Sequence, residues 1–101
     1  MERLLDRVPE LDAVFASSDL MASGAVRALL ARGRDVPRDV AVVGFDDAPV
    51  ARHTEPQLTT VHQPVEQMGR SMVELLVARI EGRPTEHHVV LAPHLVVRAS
   101  S

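Results

Sequence analysis

The sequence has no cysteine, no tryptophan, no tyrosine and no lysine. Without cysteine, disulfides and thiolate metal sites are excluded. Phe15 and Phe45 are its only aromatic residues, so no aromatic-studded basic stretch suits RNA or single-stranded nucleic acid. All eleven basic residues are arginine, and the net charge of −3 gives no general attraction to phosphate. No run approaches the ~20 apolar residues of a membrane span. Met1 is followed by Glu2, Arg3 and Asp6 rather than by the apolar core of a signal peptide. These absences predict a soluble, cytoplasmic protein with no membrane partner. There is no glycine-rich phosphate loop. Ser17, Asp46 and His53 are the residue types of a catalytic triad, but no Gly-x-Ser-x-Gly elbow surrounds any of the serines. We therefore expect no catalytic residue, no enzyme activity and no cofactor.

What is present describes a globular chain. It has 101 residues, the size of one small domain. It is 46% hydrophobic and 25% charged, too apolar for disorder. Arginine without lysine, alongside abundant Ala, Val and Leu, points to GC-rich codons and a high-GC bacterium.

Met1 to Arg7 reads as a helix end stopped by Pro9. Starting without a cap, it suggests that something lies upstream. Ala13–Ala16 is a short buried strand. Ser17, Ser18 and Asp19 end it and cap a helix over Leu20–Arg32, which Gly33 terminates. Ser23 and Arg27 mark the polar side of that helix. Val40–Phe45 is apolar without alternation, as in a parallel strand covered on both faces. Strand, helix and strand at these spacings make a βαβ unit. Asp46 and Asp47 follow at the strand's carboxyl end, where open α/β sheets place ligands. A loop with one helical turn near Val50–His53 leads to a strand at Leu58–Val61. Gln63–Pro64 forms a joint. A helix follows over Val65–Glu81, with Val65, Met68, Met72, Leu75, Leu76 and Ile80 on its apolar side. Strands are predicted at His87–Leu91 and Leu95–Arg98, separated by Pro93. The fold class is α/β.

Taken in order, the segments AVFASSDLMASGAVRALLARGRDVPRDVAVVGFDD, PQLTTVHQP, MGRSMVELL and HLVVRASS resemble the end of the lactose/galactose repressor (LacI/GalR) family. The resemblance covers Leu4 to Ser101. It implies the type I periplasmic-binding-protein fold, in which two α/β lobes close around a small molecule such as a sugar. Members carry an N-terminal helix-turn-helix head and bind operators as dimers, with the effector biasing a hinge. On this reading the chain holds part of the C-terminal lobe, residues 1–61 and 87–101. It lacks the head and makes no direct nucleic-acid contact. Gln63–Pro64 crosses between lobes, and the 65–81 helix belongs against the absent N-terminal lobe. Its apolar stripe then predicts a homodimer, other self-association, or a helix folded back on its own sheet.

Three residues are expected to bind the effector: Asp46, Ser18 and Gln63. A carboxylate at a strand tip accepts hydrogen bonds from adjacent sugar hydroxyls, and the first Asp of Gly-Phe-Asp-Asp is an effector contact in the family. The bland reading of Asp46 is a turn residue. Ser18 stands where the family has asparagine, and its bland reading is a helix cap. Gln63 serves the hinge or faces the cleft. Asp19 complements the helix dipole, and Arg98 is read as a structural ion-pair partner. His87, His88 and His94 suggest a metal, but adjacent strand residues point to opposite faces, so no metal is expected. Any aromatic plate for a sugar would come from the missing lobe. Two other functions share these features: a solute-binding protein of a sugar transport system, and a headless dimerisation module.

Overall fold

The computed structural model describes residues 1–86 and 88–101. They form two compact units: Met1–His62 with His94–Ser101, and Gln63–Pro93.

The first unit is a four-stranded sheet with helices. Its elements are α1 (Glu2–Arg7), β1 (Ala13–Phe15), α2 (Asp19–Ala31), β2 (Ala41–Asp46), a 3₁₀ turn (Pro49–Arg52), β3 (Thr59–His62) and β4 (His94–Val96). The strands lie in the order β1-β2-β3-β4. The first three are parallel, with Val14 opposite Val42 and Asp46 opposite His62. β4 runs antiparallel to β3 and sets His94 opposite His62.

α2 is the crossover that a parallel β1–β2 pair requires. Its start is fixed by Ser18, whose hydroxyl accepts the Met21 N–H at 3.2 Å. Its end is fixed by Gly33 at φ 71°. There the Gly33 N–H bonds to the Leu30 carbonyl and the Arg34 N–H to the Leu29 carbonyl. This paired closure needs a left-handed residue, which glycine adopts without steric penalty. Between the two caps, Ala22, Val26 and Leu29 are buried on the sheet with Val36, Val40, Val42, Ala51 and Leu58. Each larger side chain in that cluster contributes roughly 1.5–3 kcal/mol by leaving water.

The apolar run at 40–45 is a strand, but its faces differ. Val42 and Gly44 are buried, while Ala41, Val43 and Phe45 are only half-covered. The helix layer thus seals one face of β2, and the other keeps partial access to solvent.

The second unit is α3 (Val65–Ile80) with the segment that follows it. Gly82 closes α3 as Gly33 closes α2, with the Arg83 N–H on the Ala78 carbonyl at 2.9 Å. The covered side of α3 is Ser71, Leu75 and Ala78, which line a shallow groove with Arg83, Pro84 and Val89. The stripe read from the sequence behaves differently. Of its six residues only Leu75 is half-buried, while Val65, Met68, Met72, Leu76 and Ile80 are exposed.

The last part of the chain also departs from expectation. The strand expected at 87–91 begins on His87, which lies outside the described residues, and 88–91 carry no strand. The only C-terminal strand among the described residues is β4, which begins one residue before the predicted Leu95 and stops before Val97. Short apolar runs after proline hold too little periodicity to separate strand from extended loop.

Candidate functional site at the strand tips

Because β1, β2 and β3 run the same way, their carboxyl ends share one edge of the sheet. That edge gathers Ser17 and Ser18 after β1, Asp46 and Asp47 at the end of β2, and His62 at the end of β3. Phe15 and Phe45 meet there edge to face, with ring centroids 6.3 Å apart. The chain's two aromatic rings therefore lie together near this edge, and Phe15 is 63% exposed.

The turn after β2 is unusual. Asp46 has φ 109° and Asp47 has φ 54°. Two successive non-glycine residues in this region are sterically disfavoured and persist only when surrounding contacts hold them. Those contacts are explicit. The Asp47 N–H donates to Thr60 Oγ1 at 3.3 Å, and the Ala48 N–H donates to Asp19 Oδ2 at 2.7 Å. Thr60 donates its own hydroxyl to Asp19 Oδ1 at 2.5 Å. Asp19 and Thr60 are almost wholly buried, so each hydrogen bond satisfies a group that water cannot reach.

Asp47 carries the charge network. Arg98 donates Nη2–H to its Oδ1 at 2.6 Å. His62 Nδ1 lies 3.0 Å from its Oδ2, and Arg52 stands further off at 3.8 Å. The His62 Nδ1 is the donor, because an ionised carboxylate only accepts. Burial alone raises the Asp47 pKa, but the hydrogen bonds from Arg98 and His62 and the charges of Arg98 and Arg52 outweigh it. The carboxyl is held below its ordinary value of 3.8. Arg98 also donates to the Leu58 carbonyl at 2.9 Å. The ion-pair role read for Arg98 is what its geometry provides, and its partner is Asp47.

The three expected effector residues fall into different places. Ser18 and Asp46 are both half-buried at the strand-tip edge of the first unit. Ser18 is also the α2 cap, so its oxygen already accepts one hydrogen bond. We predict that Ser18→Ala lowers unfolding free energy by about 1 kcal/mol, the usual value of such a cap, measured by urea denaturation. Gln63 belongs to the second unit, directly after β3. Asp19 does more than complement a helix dipole, because it ties α2 to the 3₁₀ turn and to β3. Thr60 and His62 are not singled out by the sequence, and Asp47 is read there only as Asp46's neighbour at the strand end. One signal was available: a buried central strand carrying Thr59 and Thr60 must find partners for both hydroxyls.

An open apolar groove also runs along β1 and α2, lined by Val14, Phe15, Met21, Gly24 and Ala25. It excludes Asp46 and has few convergent polar groups. The polar side chains gather at the strand tips instead. Among the described residues, no group of three or more His, Asp or Glu is placed to hold a metal ion. Among the same residues, no helix is long and apolar enough to cross a membrane.

A parallel sheet that collects carboxylates and hydroxyls at its strand tips is the ligand-facing half of an open α/β lobe. The family model described as periplasmic binding protein-like domain matches residues 1–101. The chain belongs to that family, among the LacI-type transcriptional regulators. It is 59% identical over 101 residues to the HTH-type transcriptional regulator CelR of Thermobifida fusca, covering 99% of this chain and 30% of that regulator. The solved structure of a CelR–cellobiose complex superposes with a TM-score of 0.95 at 58% identity, over 99% of this chain and 31% of that one. A LacI-family regulator from Arthrobacter sp. FB24 in complex with lactose gives 0.87 at 39% identity, over 98% of this chain and 38% of that one. The chain thus spans less than two fifths of each of these relatives.

Proposed function

We propose that this chain is the effector-sensing, C-terminal part of a bacterial sugar-responsive transcriptional repressor. The observation that carries the reading is the position of Asp46. It stands at a strand tip, beside a phenylalanine pair, in a fold close to that of a regulator solved with cellobiose. Its carboxylate suits paired hydroxyls of a sugar, and the exposed ring of Phe15 makes an aromatic plate available within this chain, where the sequence points only to the missing lobe. Ser18 and Gln63 are proposed as further contacts. The effector is a disaccharide of the cellobiose or lactose type, both of which are β-1,4-linked. Operator binding belongs to a head outside this chain. The names of the relatives favour a transcriptional regulator over a transport protein.

Titration of the ¹⁵N-labelled chain with cellobiose, lactose and maltose tests this. We expect cellobiose to shift the amides around Ser18 and Asp46, with millimolar or weaker affinity from one lobe, about 4 kcal/mol or less. Asp46→Ala should abolish those shifts. A response to maltose in place of cellobiose would keep the sensor and replace its sugar. Silence at the strand tips with every sugar would remove the reading.

A second copy of the chain is the proposed partner. Leu20, Met21 and Leu30 are exposed on α2, and exposed apolar surface marks association sites. Sedimentation equilibrium should give a dimer that Leu20→Glu converts to monomer. A wild-type monomer at about 100 μM, far above the micromolar Kd of a typical interface, counts against a homodimer.

A further inference from the structure

We propose that Asp47 is a positioning residue: it holds the strained turn that presents Asp46 and ties that turn, through His62, to the strands leading into and out of the second unit. The inference rests on the reading of Asp46 as an effector contact and adds a residue behind it. Three observations carry it.

The turn does not hold itself. With φ 109° at Asp46 and 54° at Asp47, the backbone would relax if its anchors were removed. Asp19 and Thr60 secure the amides of Ala48 and Asp47. The Asp47 carboxylate secures the side-chain end, with its two oxygens on different partners: Arg98 on Oδ1 at 2.6 Å and His62 on Oδ2 at 3.0 Å.

His62 is also placed at a boundary. It is the last residue of the first unit before the chain enters Gln63–Pro93, and His94 is the first residue on its return. The two are cross-strand partners. Their imidazole rings lie 4.8 Å apart at 36°. A single carboxylate therefore connects the Asp46 turn to both strands at which the chain changes unit.

The same His62 faces Asp46 in the β2–β3 register. A change in the direction of β3 at His62 thus acts on the turn twice, through the ladder and through the Asp47 side chain. A contiguous hydrogen-bonded element of this kind is one physical route for coupling an effector site to a hinge. Arg98 fixes the opposite oxygen, so the carboxylate cannot follow His62 without breaking a second strong bond.

The test uses Asp47→Asn, His62→Gln and, as a core control, Val26→Ala in the full 101-residue chain. Three-bond HN–Hα couplings and amide shifts of Asp46 and His94 are read by NMR without ligand. We expect Asp47→Asn to move the Asp46 coupling away from its positive-φ value and to shift the His94 amide. His62→Gln should shift Asp46 in the same direction. Val26→Ala, which loosens the core, should leave both sites in place. If Asp47→Asn does not fold, His62→Gln decides: movement at Asp46 supports the proposal and its absence overturns it. A folded Asp47→Asn with Asp46 unmoved overturns it as well, as does equal movement in Val26→Ala. Cellobiose titration forms a separate arm. We expect affinity to fall at least about fivefold in Asp47→Asn, within the usual range of site-to-site coupling. A wild-type chain that ignores cellobiose counts against the sugar reading alone, and the ligand-free couplings still decide the role of Asp47.

Discussion

Gly44→Ala is expected to destabilise the chain by about 3 kcal/mol, a large fraction of the roughly 5–15 kcal/mol that holds a domain folded. A Cβ built on Gly44 lies 2.2 Å from Asp19 Oδ1 and 3.3 Å from the Ala22 Cβ. A carboxylate at the end of a long, free side chain would simply step aside. Asp19 has a short side chain, is 1% exposed and holds two hydrogen bonds. Moving it strands the buried Thr60 hydroxyl and the Ala48 N–H, each at about 1–3 kcal/mol. Staying put forces β2 away from α2 and opens the core around Val42 and Leu29. Either response lowers the midpoint of chemical denaturation. An unchanged midpoint would show that the Asp19 carboxylate is not fixed over β2. The double variant Gly44→Ala with Asp19→Ala should lose less than the two single losses added together, because the clash disappears with the carboxylate while the Thr60 and Ala48 hydrogen bonds are lost only once.

Asp47→Ala should cost a similar amount, about 3 kcal/mol, at neutral pH. Its side chain is 6% exposed and that of Arg98 is 13% exposed. Removing one member of a buried pair leaves the other charge without compensation, which is worse than never having had the pair. The pH dependence follows from the sign of the shift. The folded-state pKa of Asp47 lies below the ordinary 3.8, so the unfolded chain takes up the proton first on acidification. Its contribution is complete above the unfolded value and is lost as the pH falls through the folded value. The stability difference between wild type and Asp47→Asn should shrink as the pH falls below about 4. A gap that keeps its full size at pH 2–3 would mean that the carboxylate's charge is not what the pair supplies.

Much of the fold could be read in advance because local rules and tertiary contacts agree. Ser18 and Gly33 bound α2 as a cap and a left-handed stop should. The apolar run of β2 ends at Asp46, which is where the strand meets the sheet edge. Disagreement appears where a residue's role depends on something distant. The apolar stripe of α3 follows helical periodicity faithfully, yet within this chain it is the Ser71–Leu75–Ala78 side that is covered. Periodicity says which residues prefer burial and cannot say which surface arrives to bury them. The candidate site divides in the same way. Asp46 stood out because it directly follows an apolar strand. Asp47 looked like its duplicate until Arg98, fifty-one positions away, and His62, fifteen away, were seen on its two oxygens. Thr60 and Asp19 are forty-one residues apart, and no motif joins them.

Ser100 illustrates the same dependence at the far end of the chain. It is fully buried. Its carbonyl accepts the Val42 N–H at 2.7 Å, its hydroxyl donates to the Val42 carbonyl at 2.6 Å, and the same oxygen accepts the Thr59 N–H at 2.8 Å. β3 begins opposite Val43, so Val42 has no ladder partner in β3 and takes Ser100 instead. On the ribosome, β1, α2 and β2 emerge long before that serine. The central strand of the first unit cannot complete its hydrogen bonds until the chain has been made through Ser100. Its last closure spans fifty-eight residues, a long-range step of the kind that slows folding and extends the time a nascent chain stays open to chaperones and proteases.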